Sequence, residues 1–329
     1  MRIIATLICI TAMVVLCGCN PEDLLYRTGV SMYSSAMKEL KTALKNEPLR
    51  YIDTNGSAAS LRLLQDGLLD FAVVRNDVLN KALEDHQKQG ERITYAAVAN
   101  VADETCYIIT REDSDIKTLF DLRGKKVAIG RKDHGTINVA GNILNAHGFK
   151  KSLLTPYFVS FKESIQLLQS GEIDALFSID VFPSKSIKAL SEKIPVRLIS
   201  LDEHAANHLL NYHRGYFIRT IPAGTFVGQD SEIMALKVNS VLMVNQDVPD
   251  AVIEKIILAL TNYHHNKNNP GENNSQPQET LHDELLMLSK KEYDLTYHPA
   301  AAKLYEEHGI EVKTFEKVTG FKTVVIGQD

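Results

Sequence analysis

The chain has 329 residues, 44% hydrophobic and 23% charged, with 36 Lys plus Arg against 41 Asp plus Glu and a formal net charge of −5. That length exceeds what one hydrophobic core usually organises and predicts two domains or one large α/β unit; the ordinary composition excludes a collagenous, wholly disordered or polytopic membrane protein. No basic block supplies the positive field of a nucleic-acid binder, so nucleic acid is not an expected partner.

Three of the four cysteines, Cys9, Cys17 and Cys19, lie in the first 19 residues, and only Cys106 lies in the body. One body cysteine builds neither a disulfide framework nor a Cys-based zinc site. Arg2 precedes an apolar run from Ile3 to Cys17 broken only by Thr6 and Thr11. The run is shorter than the roughly 18–20 residues that span a bilayer and suits a signal-peptide core, so residues 1–18 are expected to be an export signal that is removed. Leu16-Cys17-Gly18-Cys19 resembles the bacterial lipobox, with Cys19 as the lipidated residue; the alternative is a conventional signal peptide with incidental cysteines. Lipidation would hold the body at an outward-facing membrane surface, in the periplasm or on the outer face of the cell membrane.

In chain order, Leu24 to Arg27 reads as a short strand, Thr28-Gly29 as a turn and Ser31 as the N-cap of a helix with Tyr33, Met37, Leu40 and Ala43/Leu44 on one stripe. Leu49 to Asp53 predicts a strand, Thr54-Asn55-Gly56 a turn, and Ser57 the cap of a short helix through Leu61 and Leu64 that ends at Gly67. Asp70 to Arg75 is a buried-type strand, with Asp77 placed to cap the next helix. Strands alternating with helices predict an α/β fold with a mostly parallel sheet.

The pattern restarts after Asp121-Leu122-Arg123-Gly124 with a strand from Lys125 to Ile129, a loop from Gly130 to Gly135 and a helix from Thr136 to His147 stopped by Gly148. Leu63-Leu64-Gln65-Asp66-Gly67-Leu68-Leu69-Asp70 and Leu167-Leu168-Gln169-Ser170-Gly171-Glu172-Ile173-Asp174 are alike at a constant offset of 104. Each spans a helix end, a glycine and the start of an apolar strand, and the weak repeat predicts two similar lobes. After Ile221-Pro222-Ala223-Gly224, a strand from Ser240 to Val244 and a helix from Pro249 to His264 read as a return to the first lobe. The expected division is 19–115 with 220–329 as the first lobe and 116–219 as the second, and the polar stretch Asn266 to Gln278 is expected to be a solvated loop.

Gly130-Arg131-Lys132-Asp133-His134-Gly135-Thr136 has the glycine spacing of a phosphate loop but lacks the Lys before Thr that would reach the phosphates. It reads better as a loop presenting N–H groups and the Thr136 hydroxyl at a helix N-terminus. His204 and His208 share a helix face and His213 follows, but no His-Glu-x-x-His pattern occurs and no metal is expected. Gly-x-Ser-x-Gly is absent, and Cys106 sits in the apolar strand pattern Thr105 to Thr110 as an inert buried thiol. Small hydroxyl or amide residues recur between strand and helix at Thr28 to Ser31, Thr54 to Ser57, Arg75 to Asp77 and Gly130 to Thr136. In an open α/β sheet such loops gather helix N-termini at the carboxyl ends of the strands, which favours a small anionic ligand. Each loop by itself could equally serve only its own helix.

Taken in order over nearly the whole mature chain, these residues resemble the TAXI-type solute receptors of TRAP (tripartite ATP-independent periplasmic) transporters. Thr28-Gly29 with Met32-Tyr33 stands where that family has a Gly-rich turn ending in tyrosines. Thr54-Asn55-Gly56-Ser57, then Leu61 to Gly67 and Asp70-Phe71-Ala72, is similar to its first-lobe signature and continues into Asn76-Asp77. Asp121 to Val127 with Gly130 and Gly135-Thr136 resembles the second-lobe opening, which other binding-protein families share. Ile221-Pro222-Ala223-Gly224-Thr225-Phe226 and His298-Pro299-Ala300-Ala301 with Tyr305-Glu306-Glu307-His308-Gly309 are more specific. The chain departs from the family in having few glycines in the first turn, in Arg75-Asn76 before Asp77, and in Arg131 to His134.

The resemblance implies a two-lobed periplasmic-binding-protein-like fold with a ligand cleft between the lobes. It further implies a receptor that hands a small anionic or zwitterionic ligand, a glutamate-like amino acid or other organic acid, to a TRAP permease membrane subunit. Expected ligand-binding residues are Ser31, Tyr33, Thr54, Ser57, Arg75, Asn76 and Asp77 from the first lobe and Gly135, Thr136, Asp180 and Phe182 from the second. Hydroxyls and N–H groups would hold a carboxylate, Asp77 or Asp180 an ammonium or hydroxyl, and aromatic rings the carbon frame. Arg75 reads either as a bidentate grip on a ligand carboxylate or as a solvated surface arginine. No cofactor, metal or catalytic residue is expected. Two other functions stay open: a lipoprotein that reports occupancy to a membrane sensor kinase, and an enzyme on the same scaffold, since fold does not fix function.

Overall fold

In the computed structural model, Asp70 and Asp174, which end the two alike segments, are held in the same way. The Asp70 carboxylate accepts from the Arg27 N–H at 2.7 Å, and the Asp70 N–H donates to the Arg27 carbonyl at 2.9 Å. The Asp174 carboxylate accepts from the Lys126 N–H at 2.7 Å, and the Asp174 N–H donates to the Lys126 carbonyl at 2.8 Å. Each aspartate thus fixes the register in which a strand joins its parallel neighbour. The structure describes residues 25–31, 34–132, 135–269, 278–289 and 295–317; the export segment, Cys19 and Tyr33 lie outside them.

In the first half, β1 (Tyr26–Val30) pairs in parallel with β2 (Leu49–Asp53) and β3 (Phe71–Arg75), and helices α1 (Ser35–Ala43), α2 (Ser57–Gln65) and α3 (Asn76–Gln89) follow these strands. All of β3 is buried, the pattern of a strand covered on both faces; each larger apolar side chain there contributes on the order of 1.5–3 kcal/mol by leaving water. Thr28-Gly29 is strand rather than turn, because a side chain at Gly29 would meet Leu69 and the bare glycine lets the chain run straight past it. Ser34, not Ser31, caps α1, its Oγ accepting from the Met37 N–H at 3.2 Å. Gly56 rather than Ser57 is the N-cap of α2, and Arg75 rather than Asp77 that of α3. Ser57 and Asp77 are thereby released for other bonds.

The second half repeats the plan with β5 (Lys126–Ala128), α4 (Thr136–Ala146), β6 (Thr155–Tyr157), α5 (Phe161–Ser170), β7 (Ala175–Val181) and α6 (Lys185–Ser191), β5 pairing in parallel with β6 and β7. β8 (Val196–Leu198), α7 (Glu203–Tyr212) and β9 (Phe217–Ile221) complete it. Two long strands, β4 (Tyr95–Arg111) and β10 (Ile233–Asn245), run through both halves, giving one sheet in the order β2-β1-β3-β10-β4-β7-β5-β6. Every antiparallel pairing among the described residues involves β4 or β10. The fold is an α/β sheet, parallel within each half and antiparallel at the join.

The chain then returns to the first half as α8 (Asp250–Asn268), α9 (Gln278–Ser289), β11 (Thr296–Tyr297), α10 (Pro299–Glu307) and β12 (Lys313–Thr314). The polar stretch from Asn266 begins as helix rather than loop, and Gln278 opens α9. Lys267 reaches Glu39 at 2.8 Å and His265 is buried, which keeps the last turn of α8 wound.

Buried apolar side chains form one cluster drawn from residues 30–102 and 241–310 and two others from residues 106–238. The join between them is polar. Asn239 on β10 donates from Nδ2 to Asn100 Oδ1 at 3.1 Å and to the Asp103 carboxylate, while its N–H donates to Asn76 Oδ1 at 2.9 Å. The β10–β4 register shifts immediately after it, between Ser240 and Val241.

Candidate functional site

Arg75 ends β3, where the chain leaves the sheet and α3 begins. Its N–H donates to Ser57 Oγ at 3.0 Å, tying the strand end to the first turn of α2. Its side chain is 8% exposed and folds back in a two-pronged pair with Asp77, Nε to Oδ1 at 2.9 Å and Nη2 to Oδ2 at 2.6 Å. Neither reading of Arg75 anticipates this buried partner. Burial alone would lower the Arg75 pKa, but the Asp77 charge and hydrogen bond, followed by Glu104, outweigh it and hold it above its ordinary value. The guanidinium is permanently charged.

Gly135, the N-cap of α4 in the second half, lies against this guanidinium: a Cβ there would be 2.7 Å from Nη1. Glu104, from the middle of β4, is 3% exposed and accepts from Ser240 Oγ at 2.7 Å. Ser240 is the β10 residue opposite Arg75 in the sheet, so this one pairing sets the cation and the carboxylate side by side.

These groups border a cavity of about 190 Å³ whose lining includes Ser31, Ser34, Ser57, Arg75, Glu104 and Gly135, with Lys132 and Asn138 at its rim. Helices α5, α6 and α7 carry side-chain caps from Ser160, Ser184 and Asp202. Helices α2 and α4, which open on the cavity, have none. Uncapped N-terminal N–H groups are donors suited to an oxyanion.

Of the residues expected from sequence, the structure brings Ser31, Ser57, Arg75 and Gly135 to this cavity. Thr136 and Asp180 border a neighbouring cavity of about 120 Å³, with Ile179 lining both. The Asp180 carboxylate accepts from the Val181 N–H and the Ser184 hydroxyl. Asp77 faces a wider groove of about 1050 Å³ on the outer side, which meets the inner cavity at Ala58, Val78 and Asn138. Thr54, bonded to Val30 and Ser60, and Asn76, bonded to Asn239, do not border the cavity. Nor does Phe182, whose ring lies under the Arg219 guanidinium at 4.5 Å.

Glu104, Ser34 and Ser240 were not expected. Glu104 had one readable signal: Asp103-Glu104 interrupts a run that is otherwise apolar, and two carboxylates inside a buried strand need a reason to be there. Tyr216 was also missed; it is buried beside Arg75 and Asp77, and its hydroxyl accepts from Asn142 Nδ2 at 2.8 Å. Among the described residues no three of His, Cys, Asp and Glu are grouped to hold a metal ion.

The chain is similar in structure to the periplasmic aliphatic sulphonate binding protein SsuA from Escherichia coli, at 16% identity over 86% of this chain and 83% of that one, with a TM-score of 0.45. It is also similar to PhnD1 from Prochlorococcus marinus (MIT 9301), solved in complex with methylphosphonate, at 12% identity over 74% of this chain and 85% of that one, with a TM-score of 0.46. The model of the NMT1-like family matches residues 22–309, and the chain belongs to that family.

Proposed function

We propose that this protein is an extracytoplasmic solute-binding receptor that takes up a small organic acid or amino acid between two lobes and delivers it to a TRAP-type membrane permease. The observation that carries this reading is the meeting of Arg75 from the first half and Gly135 from the second across one small polar cavity. A ligand seated there touches both halves, so it favours the closed arrangement by its differential affinity for that form. Uncapped helix ends, serine hydroxyls and the anchored guanidinium are groups that hold a carboxylate.

Delivery to a TRAP permease follows from the TAXI-type motifs, and tethering from Leu16-Cys17-Gly18-Cys19, with Cys19 as the lipidated residue. The lobes are taken as 19–115 with 220–329, and 116–219. Native mass spectrometry of the purified protein tests the binding role: a bound, chemically unaltered small acid or amino acid is expected, and a turned-over product would replace this reading with an enzymatic one. Labelling with a radioactive fatty acid, lost in Cys19→Ala, tests the anchor.

A further inference from the structure

Asn138, Asn142 and Asn145 line the outer groove of about 1050 Å³ from a single helix, α4. At i, i+4 and i+7 they share one face of it and span about 10 Å along its axis. A solvated helix face ordinarily carries Lys, Glu or Arg, but α4 has no charged residue from Thr136 to Ala146. Asparagine is also a poor helix former, because its amide competes for backbone groups. Three asparagines within eight residues weaken α4, so their place on this face has a use other than winding the helix. Asn142 Nδ2 donates to the Tyr216 hydroxyl at 2.8 Å, which fixes the middle amide. Among the described residues no side-chain hydrogen bond engages Asn138 or Asn145.

The charges in the groove are matched to one another. Lys81 meets Asp85 at 3.0 Å, His86 meets Glu91 at 2.6 Å, and Arg214 from the second half reaches Glu84 from the first at 3.5 Å. Asp77 is held by Arg75. Arg62 and Asp66 are opposite in sign and one turn apart at the end of α2. On the second-half wall Tyr212 is 73% exposed, and its ring lies against that of His208 with centroids 4.6 Å apart, braced without being covered.

We propose that the outer groove is a second binding site, for a neutral saccharide one or two sugar rings long. Each asparagine amide is a donor and an acceptor at once, and so is each sugar hydroxyl, which makes the row on α4 a match for a run of hydroxyls. The exposed Tyr212 ring receives the apolar C–H face of a sugar ring. The volume is that of pockets which enclose whole small molecules, roughly 300–1,000 Å³. Its walls come from α2 and α3 in the first half and from α4 and α7 in the second, so a saccharide seated there touches both halves.

The test is calorimetric titration of the full chain with glucose, galactose, mannose, xylose, maltose and cellobiose, and with trialanine as a peptide control, repeated on Tyr212→Ala, Asn145→Leu and Gly135→Ala. At least one saccharide should bind, and Tyr212→Ala and Asn145→Leu should each weaken it at least about fivefold, through the lost ring contact or hydrogen bond. Both residues are exposed, and leucine is the better helix former. Asn145→Leu should therefore hold or raise the melting temperature while binding falls, a divergence that a purely structural role would not produce. Gly135→Ala separates the two sites: it obstructs the inner cavity and should weaken an acid ligand there, while saccharide binding persists. No saccharide binding, tighter binding of trialanine, or an affinity unmoved by either Tyr212→Ala or Asn145→Leu would each overturn the proposal. A saccharide lost in Gly135→Ala alone would sit in the inner cavity and would overturn it as well.

Discussion

Gly135 approaches Arg75 so closely that one added methyl group would overlap the guanidinium, 2.7 Å from Nη1 and 3.1 Å from the central carbon. The backbone at Gly135 is ordinary right-handed helix, φ −62° and ψ −12°, so glycine is required there for space and not for conformation. Gly135→Ala should therefore leave the unfolding temperature within a few degrees while weakening the ligand found by mass spectrometry at least about tenfold, a loss near 1.4 kcal/mol. Calorimetric titration beside a thermal melt reads both quantities.

Asp77→Ala leaves the Arg75 charge buried without its main partner and should destabilise the fold by about 3–5 kcal/mol. Replacing both residues, Arg75→Met with Asp77→Ala, should recover most of that stability and none of the binding. Urea unfolding of the three variants decides the point; a double variant as unstable as Asp77→Ala alone would contradict it.

Asn239 ties β10 to Asn100 and Asp103 on β4. Asn239→Ala removes the donor shared by the buried Asn100 and the half-buried Asp103 and should cost about 1–3 kcal/mol. Amide exchange measured by mass spectrometry should quicken in peptides covering the β4–β10 crossing more than in those covering β1 and β2.

His298 has a fully buried side chain whose Nδ1 accepts from the Ala300 N–H at 3.3 Å at the start of α10. Burial, and next the Lys317 charge, hold its pKa below the ordinary histidine value. The unfolded chain therefore binds a proton more readily than the folded one, so stability is steady at higher pH and falls as pH drops through about 6.5. The fall levels off below the folded pKa. His298→Asn keeps a capping acceptor and should make the acid side of the stability profile shallower, as read by urea midpoints between about pH 7 and pH 5.

Burial pushes the Cys106 thiol up to about 12. At pH 8 it should resist iodoacetamide in the native protein and react readily in urea, with peptide mass spectrometry reporting the modified site. Fast native labelling of Cys106 would mean that β4 opens locally.

The sequence was most legible where a local pattern recurs. The 104-residue offset marks Asp70 and Asp174, and both make the same register-fixing bonds. Arg75 stood out because an arginine at the end of an apolar strand is chemically conspicuous, although its partner two residues on was not foreseen. Caps were misassigned by one to three residues at Ser31, Ser57 and Asp77, because serines and aspartates crowd each loop and local spacing does not choose among them. Glu104 and Ser240 were invisible as a pair. They lie 136 positions apart, and only the pairing of β10 with both β3 and β4 brings them to Arg75.

The join between the halves is two hydrogen-bonded strands, not a pair of slack tethers. A bonded ladder resists shear and stretching within its plane and yields to flexing across it, most easily where the pairing slips beside Asn239. Such a join acts as a leaf spring creased at two places, after Ser240 and after Leu242, so any movement of one half against the other would be a bend rather than a slide.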